Sequence, residues 1–96
     1  MSVRIVWLPE ALEDIERLYD FLKEKSPVAA MRVAQTILQG VRILEEAPEA
    51  GRPMQDNTGR REFFVTFGAG AYVLRYKRDR NTVVVIRVWH SKEQRD

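Results

Sequence analysis

The residues most able to do chemistry are three arginines and one histidine in the last third of the chain. Arg61, Arg75 and Arg87 stay positively charged at physiological pH and can bind a phosphate or a carboxylate. His90 is the only histidine, the residue type that most often transfers protons in catalysis. His90, Arg87 and Arg61 are therefore the candidate catalytic residues. The structural alternative is solvated strand arginines and a histidine that hydrogen-bonds to backbone at a strand end.

Three runs of alternating residues must position these side chains. They span residues 61–67, 71–78 and 82–89, and the alternation predicts strands with two different faces. Between the last two runs, Asp79-Arg80-Asn81 predicts a three-residue hairpin loop with Asn81 in the left-handed region. Such a loop places Arg78 opposite Thr82.

This register gives the last hairpin one apolar face and one face that carries cations. The apolar face is expected to build the core and consists of Tyr72, Leu74, Tyr76, Val84, Ile86 and Val88. The other face, together with Arg61 of the preceding strand, is the expected partner-binding surface. Its residues are Arg61, Val73, Arg75, Lys77, Val83, Val85 and Arg87. Because a slip of one residue would mix the two sets, the pattern favours this register.

The first half of the chain predicts one strand and two helices. Residues 3–7 are β-branched and apolar, and Pro9 then starts a helix that runs to about Lys25. Its apolar stripe is Leu8, Leu12, Ile15, Tyr19 and Leu22, widened by Ala11 and Leu18. Ser26 caps a second helix that stops before Pro48, with the stripe Ala30, Val33, Ala34, Ile37, Val41 and Leu44. Gly40 inside this stripe indicates close packing, with a kink as the alternative.

Composition excludes several kinds of protein. The chain has 96 residues, 45% hydrophobic and 31% charged, which is typical of one soluble globular domain spanning 1–96. It contains no cysteine and one histidine, so disulfides are excluded and neither a metal nor a cofactor is predicted. No apolar run is long enough to span a membrane, and no signal peptide is visible, so a cytoplasmic location is expected. The net charge is only +2, but residues 60–96 are basic and residues 1–59 are acidic.

The element order is therefore β-α-α-β-β-β, and the predicted fold class is α+β. A helical hairpin packs on one face of a four-stranded, mostly antiparallel, twisted sheet. Because the first strand reaches the sheet only after the hairpin crosses it, it can pair in parallel with a later strand. The face that carries the arginines is left open.

This order, together with several motifs, resembles the ParE/RelE superfamily of toxins from bacterial type II toxin–antitoxin modules. The resemblance covers almost the whole chain. Its motifs are Trp7, Ala11 and Asp14-Ile15; Pro27 and Ala29-Ala30; Pro48 and Gly51-Arg52-Pro53; Arg61-Glu62; Tyr72 and Leu74-Arg75-Tyr76; and the segment 84–90 that ends in Trp89-His90. The Gly-Arg-Pro loop and the Arg-Val-Trp-His ending look more like the ParE branch, whose members are often called plasmid stabilisation proteins.

The resemblance implies a cognate antitoxin whose C-terminal part wraps the toxin, and it leaves two targets open. ParE-like members inhibit DNA gyrase, whereas RelE-like members are endoribonucleases that cut messenger RNA in the ribosomal A site. RNA cleavage requires a base, an acid and cations for the charge on phosphorus. His90 lies three residues from Arg87, which predicts opposite faces unless a bulge occurs near Trp89, and no Tyr follows it. We therefore expect gyrase inhibition, with the ribonuclease and an inactive, partner-binding relative as alternatives.

Overall fold

The computed structural model describes residues 3–93, which form two helices packed on one face of a five-stranded sheet. Strand β1 spans Arg4–Trp7, helix α1 spans Pro9–Lys23 and helix α2 spans Pro27–Glu46. Four strands follow: β2 spans Arg52–Pro53, β3 spans Arg60–Phe67, β4 spans Gly70–Asp79 and β5 spans Thr82–His90. The spatial order is β1-β5-β4-β3-β2, with β1 parallel to β5 and the other pairs antiparallel. The α+β class and the parallel first strand are confirmed, but the sheet has five strands because the Arg52–Pro53 segment pairs with β3.

The second helix follows its sequence pattern closely. The Ser26 hydroxyl accepts a hydrogen bond from the Ala29 N–H at 3.2 Å, which satisfies one of the free donors of the first turn. Ala30, Val33, Ile37, Val41 and Leu44 are buried. At Gly40 a Cβ atom would lie 2.5 Å from Val65 Cγ2, so the missing side chain lets α2 approach the sheet and the close-packing interpretation is confirmed.

The buried face of α1 is rotated from the predicted stripe. Ala11, Asp14 and Leu18 are buried, whereas Leu12 is 53% exposed. Leu12 was therefore wrongly placed in the core. The physical reason is Asp14, a carboxylate that periodicity assigns to water but that four donors hold against the sheet, as described below.

The predicted register of the last hairpin is wrong by one residue near its turn. Asp79, not Arg78, pairs with Thr82, so the loop has two residues, and Arg80 rather than Asn81 takes the left-handed conformation with φ 55°. A bulge then shifts the pairing, because Tyr76 lies opposite Val85 while Arg75 lies opposite Arg87. Ile86 is the extra residue, and such a bulge reverses the faces on its turn side only.

The shift exchanges four residues between the two faces. Val83 and Val85 are 0% exposed and belong to the core, although they were predicted to bind a partner. Val84 and Ile86, which were predicted to be core, are only half-buried. Beyond the bulge the pairing is two residues from the predicted one, because Leu74 lies opposite Val88. The predicted faces are nevertheless correct there, since Leu74 and Val88 are buried in the core and Arg75 and Arg87 share the opposite face.

Candidate functional site

The centre of the open sheet face is a row formed by Glu62, Arg75 and Arg87 on three neighbouring strands. The Arg75 Nε and Nη2 groups donate to Glu62 Oε2 at 3.0 and 2.7 Å. The Arg75 guanidinium also stacks on the Trp89 ring, 4.8 Å from its centroid. Arg75 is thus a positioned cation whose charge is shared with Glu62, rather than a solvated strand arginine.

Arg87 is held by a buried carboxylate on α1. Its Nε donates to Asp14 Oδ2 at 2.8 Å and its Nη2 donates to Asp14 Oδ1 at 3.0 Å. Asp14 also accepts from the Val88 N–H at 2.8 Å and from Arg17 at 3.2 Å. Since β1 ends opposite Val85, Asp14 occupies the part of the β5 edge that β1 leaves uncovered. Arg87 therefore fastens α1 to the sheet.

The environment of Asp14 lowers its pKa. Burial by itself raises the pKa of Asp14. The hydrogen bonds from Arg87, the Val88 N–H and Arg17 together lower the pKa by more than burial raises it, so it falls below the ordinary value of 3.8. A carboxyl whose pKa is depressed in the folded protein stabilises the fold above its unfolded pKa. That stability is lost as pH falls through the folded pKa.

The free energy of unfolding should therefore decrease as the pH is lowered from about 5 through the depressed pKa of Asp14. In Asp14→Asn the free energy of unfolding should decrease less steeply over this acid pH range, because the variant has no carboxyl to protonate at that position. Urea unfolding at a series of pH values measures both slopes. An equally steep decrease in the two proteins would contradict the lowered pKa of Asp14.

Arg61 is not on the open face. It pairs across the sheet with Tyr76, whose side chain points toward the helices, and its Nη1 donates to the carbonyl oxygens of Gly51 at 2.7 Å and Glu49 at 3.3 Å. The Tyr76 hydroxyl donates to Pro48 O and accepts from the Gly51 N–H. Arg61 does not share the open face with the other predicted partner-binding residues, because strand alternation turns it to the loop 47–51, which it and Tyr76 anchor. A partner-binding role of Arg61 stays a prediction.

His90 lies on the helix side of the sheet, as its spacing from Arg87 predicted. The pairing between 87 and 90 is regular, so no bulge near Trp89 turns the ring back. His90 packs edge-on against Tyr72, with ring centroids 5.1 Å apart, and its Nδ1 accepts from the Lys92 N–H. The two rings line an apolar cavity of about 500 Å³ under the end of α1. His90 and the arginines of the open face are thus on opposite sides of the sheet.

The structure brings together Val73, Arg75, Lys77 and Arg87 on the open face, and their partner-binding role stays a prediction. Val73 is buried there between Phe64 on β3 and Trp89 on β5, whereas Lys77 is exposed. Val83 and Val85 are excluded because the bulge turns them into the core.

Two further residues of this face, Arg52 and Phe64, were not among the predicted site residues. The Arg52 guanidinium lies over the Phe64 ring, 4.8 Å from its centroid, and Phe64 is 42% exposed. Arg52, Glu62 and Arg75 line a shallow cleft of about 510 Å³. The Gly-Arg-Pro motif and the two-residue spacing of Phe64 from Glu62 were the available signals.

Neither a metal centre nor a membrane span is found within residues 3–93. No three His, Cys, Asp or Glu side chains in this range are grouped so that they could hold a metal ion. Within the same range, neither helix is long and apolar enough to cross a membrane.

The model of a family described as the ParE toxin of the type II toxin–antitoxin system parDE matches residues 5–95. This chain belongs to that family. It is thus a type II toxin of the ParE/RelE superfamily, and the resemblance drawn from its motifs is confirmed.

Relatives carry names from both branches of the superfamily. Toxin RelE1 of Caulobacter vibrioides is 37% identical over 95 residues, covering 99% of this chain and 100% of its own. The fold matches a chain of the chromosomal ParDE system of P. aeruginosa with a TM-score of 0.71 and 21% identity, covering 91% of this chain and 94% of that one. It also matches a chain of the RelBE2 toxin–antitoxin complex of Mycobacterium tuberculosis with a TM-score of 0.62 and 23% identity, covering 94% and 99%.

Proposed function

We propose that this protein inhibits DNA gyrase by binding and that a cognate antitoxin neutralises it. The observation that carries the proposal is the separation of the histidine, the candidate general acid, from the cations. His90 is on the helix side, while Arg75 and Arg87 are on the other side. Both arginines already form ion pairs, Arg87 with Asp14 and Arg75 with Glu62. A surface that holds cations and a carboxylate but no candidate general acid binds anionic groups, and it lacks part of the rate enhancement of about 10²–10⁴-fold that proton transfer typically contributes.

The antitoxin part of the proposal draws on the family and on the open face. The solved relatives come from a ParDE system and from a RelBE2 toxin–antitoxin complex. On the open sheet face of this chain, the exposed ring of Phe64 lies beside Arg52, and Lys77 lies on the next strand. The face therefore carries both apolar and positively charged side chains. A segment with acidic and apolar side chains complements such a surface. Both proposed partners are cytoplasmic.

The second candidate function is a ribosome-dependent messenger endoribonuclease. One observation favours it: Glu62, Arg75 and Arg52 share one cleft, which places a carboxylate base beside two cations. The RelE names of relatives such as Toxin RelE1 point the same way. In that mechanism the 2′-oxygen would attack phosphorus and displace the 5′-oxygen, while Glu62 takes the 2′-hydroxyl proton and water protonates the leaving oxygen. The arginines would stabilise the charge on phosphorus.

Two assays of the purified protein, run side by side, separate the candidates. The first measures gyrase-dependent DNA cleavage and the second measures messenger cleavage in the ribosomal A site. We expect stabilised gyrase–DNA breaks, no messenger fragments, and at most a modest loss of toxicity in His90→Gln. Accumulation of A-site-cut messenger with normal gyrase turnover, abolished by Glu62→Gln in a folded protein, would replace the gyrase proposal with the ribonuclease.

A further inference from the structure

The cavity beside His90 has the size and the wall of a small-molecule site. Its volume of about 500 Å³ lies within the range of about 300–1,000 Å³ that is usual for ligand pockets. One side of it consists of Leu18, Phe21 and Leu22 on α1, and Phe67 of β3 belongs to the other. Because the cavity lies on the helix side of the sheet, the arginines of the open face do not line it.

Tyr72 brings to this cavity a hydroxyl that no other group of the described protein engages. The residue is only 2% exposed, yet its hydroxyl forms no hydrogen bond with any residue within 3–93. Tyr76, which is also buried, differs in this respect, because its hydroxyl donates to Pro48 O and accepts from the Gly51 N–H. Buried hydroxyls normally have hydrogen-bond partners, so the unpaired hydroxyl of Tyr72 points to a partner outside the chain.

The Tyr72 hydroxyl opens into the cavity. Among the residues that the structure describes, every completely enclosed side-chain oxygen has a hydrogen-bond partner. The Tyr72 hydroxyl has none, so it must touch accessible space, and the space that Tyr72 lines is this cavity. Burial and the negative charge of Glu93 raise the pKa of Tyr72, so the hydroxyl keeps its proton and can donate it in a hydrogen bond to a ligand.

The polar groups around Tyr72 are connected to one another and include an unpaired cation. The Glu93 carboxylate accepts from Arg17 and from the His90 N–H, so both of its oxygens are engaged. The Lys92 N–H donates to His90 Nδ1 at 3.1 Å, whereas the Lys92 ammonium forms no ion pair within residues 3–93. This end of the cavity therefore offers a hydroxyl donor and a positive charge, while the charge of Glu93 is offset by Arg17.

We propose that this cavity binds a small monocarboxylate with an apolar body, such as an aryl-substituted short-chain acid. Its carboxylate accepts from the Tyr72 hydroxyl and pairs with Lys92, and its body packs on Phe21, Leu22 and Phe67. A hydrocarbon would leave the hydroxyl unpaired, and a cationic molecule would be repelled by Lys92. The site does not depend on the proposed function, because it lies on the side of the sheet away from the open face.

The test uses the whole protein, labelled with ¹⁵N, and hydrocinnamate as the probe, with the neutral hydrocinnamamide as its matched control. Hydrocinnamate should shift the amide signals of Phe67, Tyr72 and Lys92 saturably, with a dissociation constant of about a millimolar or tighter. The neutral amide should bind about tenfold more weakly because it cannot pair with Lys92. Absence of a saturable shift at about 10 mM hydrocinnamate, tenfold above the expected constant, would overturn the proposal. Equal affinities for the two probes would overturn it as well.

Tyr72→Phe removes the hydroxyl and keeps the ring. Because no hydrogen bond within the protein is lost, the urea midpoint of the free protein should not fall, whereas hydrocinnamate should bind about tenfold more weakly. Tyr76→Phe makes the same chemical change where the hydroxyl has two partners, so it should lower the urea midpoint and leave the affinity unchanged. Unchanged affinity in Tyr72→Phe, or a midpoint that falls as far as in Tyr76→Phe, would refute the role of the Tyr72 hydroxyl.

Two exposed positions test the positive charge and the apolar wall without disturbing the core. Lys92→Gln should weaken hydrocinnamate about fivefold, whereas Arg32→Gln, on an exposed position of α2, should change its affinity less than about twofold. Phe21→Ala should also weaken it about fivefold, and Leu38→Ala, at a similarly exposed apolar position on α2, should have little effect. Effects at Lys92 and Phe21 no larger than those at Arg32 and Leu38 would show that the probe binds elsewhere and would overturn the proposal.

Discussion

Val85→Glu is expected to lower the free energy of unfolding by about 4 kcal/mol or more. Val85 is 0% exposed, lies opposite Tyr76 and belongs to the core between the sheet and the helices. A carboxyl placed there has no cation and no water, so it must either stay charged in an apolar site or take up a proton. Either choice costs about 4 kcal/mol or more, which is a large part of the stability of a small domain. Circular dichroism during urea unfolding measures the loss.

Val84→Glu is the matched control, one residue away on the same strand. Val84 is half-buried and lies opposite Lys77 on the open face, so the new carboxylate reaches water and a cation. Its effect should stay within about 1 kcal/mol. The reverse order, with Val84→Glu unfolding the protein and Val85→Glu tolerated, would restore the three-residue loop and refute the bulge.

Arg87→Ala should destabilise the protein by about 3 kcal/mol at neutral pH. The Asp14 side chain is only 5% exposed, and the substitution removes two of its hydrogen bonds and its main cation. Arg17 and the Val88 N–H still donate to Asp14, but burial then opposes the charge more strongly. Urea unfolding at neutral pH measures the loss, and the deficit should shrink at acid pH, where Asp14 takes up a proton.

Arg75→Ala is the comparison for this effect, because it breaks an ion pair in the same row of the sheet. The partner Glu62 has a side chain that is 23% exposed and can turn to water. The expected loss is about 1 kcal/mol, part of it from the contact with Trp89. Equal losses in the two variants would mean that Asp14 is no more dependent on its arginine than Glu62 is.

The predictions about faces succeeded or failed according to which interaction decided them. The second helix was predicted correctly because its apolar stripe and the Ser26 cap act within one element. The predicted faces of strand β5 were wrong at four positions, because the same alternating sequence can place a residue on either face once a bulge is allowed. Nothing in the run Val-Val-Val-Ile distinguishes Val83 from Val84, since every residue there is apolar. Arg80, rather than Asn81, takes the left-handed turn position, which set the loop length.

The candidate site was predicted in part. Arg75, Lys77, Arg87 and Val73 share the open face as expected, because they lie on β4 or beyond the bulge. Arg61 was assigned to that face as a cation although it has the opposite alternation to its neighbour Glu62. Asp14 was named only as part of a family motif, and its packing against the β5 edge made it the partner of Arg87 and Val88.

The sequence by itself determined the order of every element except β2, the fold class, the family and the side of the sheet on which His90 lies. These follow from local periodicity, helix caps and a regular strand spacing, which involve residues close together in the chain. Only the tertiary structure decided the bulge at Ile86, the partners of Arg61 and Arg87, and the cavity beside His90. Each of these depends on contacts between distant segments, such as Asp14 with Val88 and Gly51 with Tyr76. Burial there is set by which segment reaches the site and excludes water, and alternation along one strand does not contain that information.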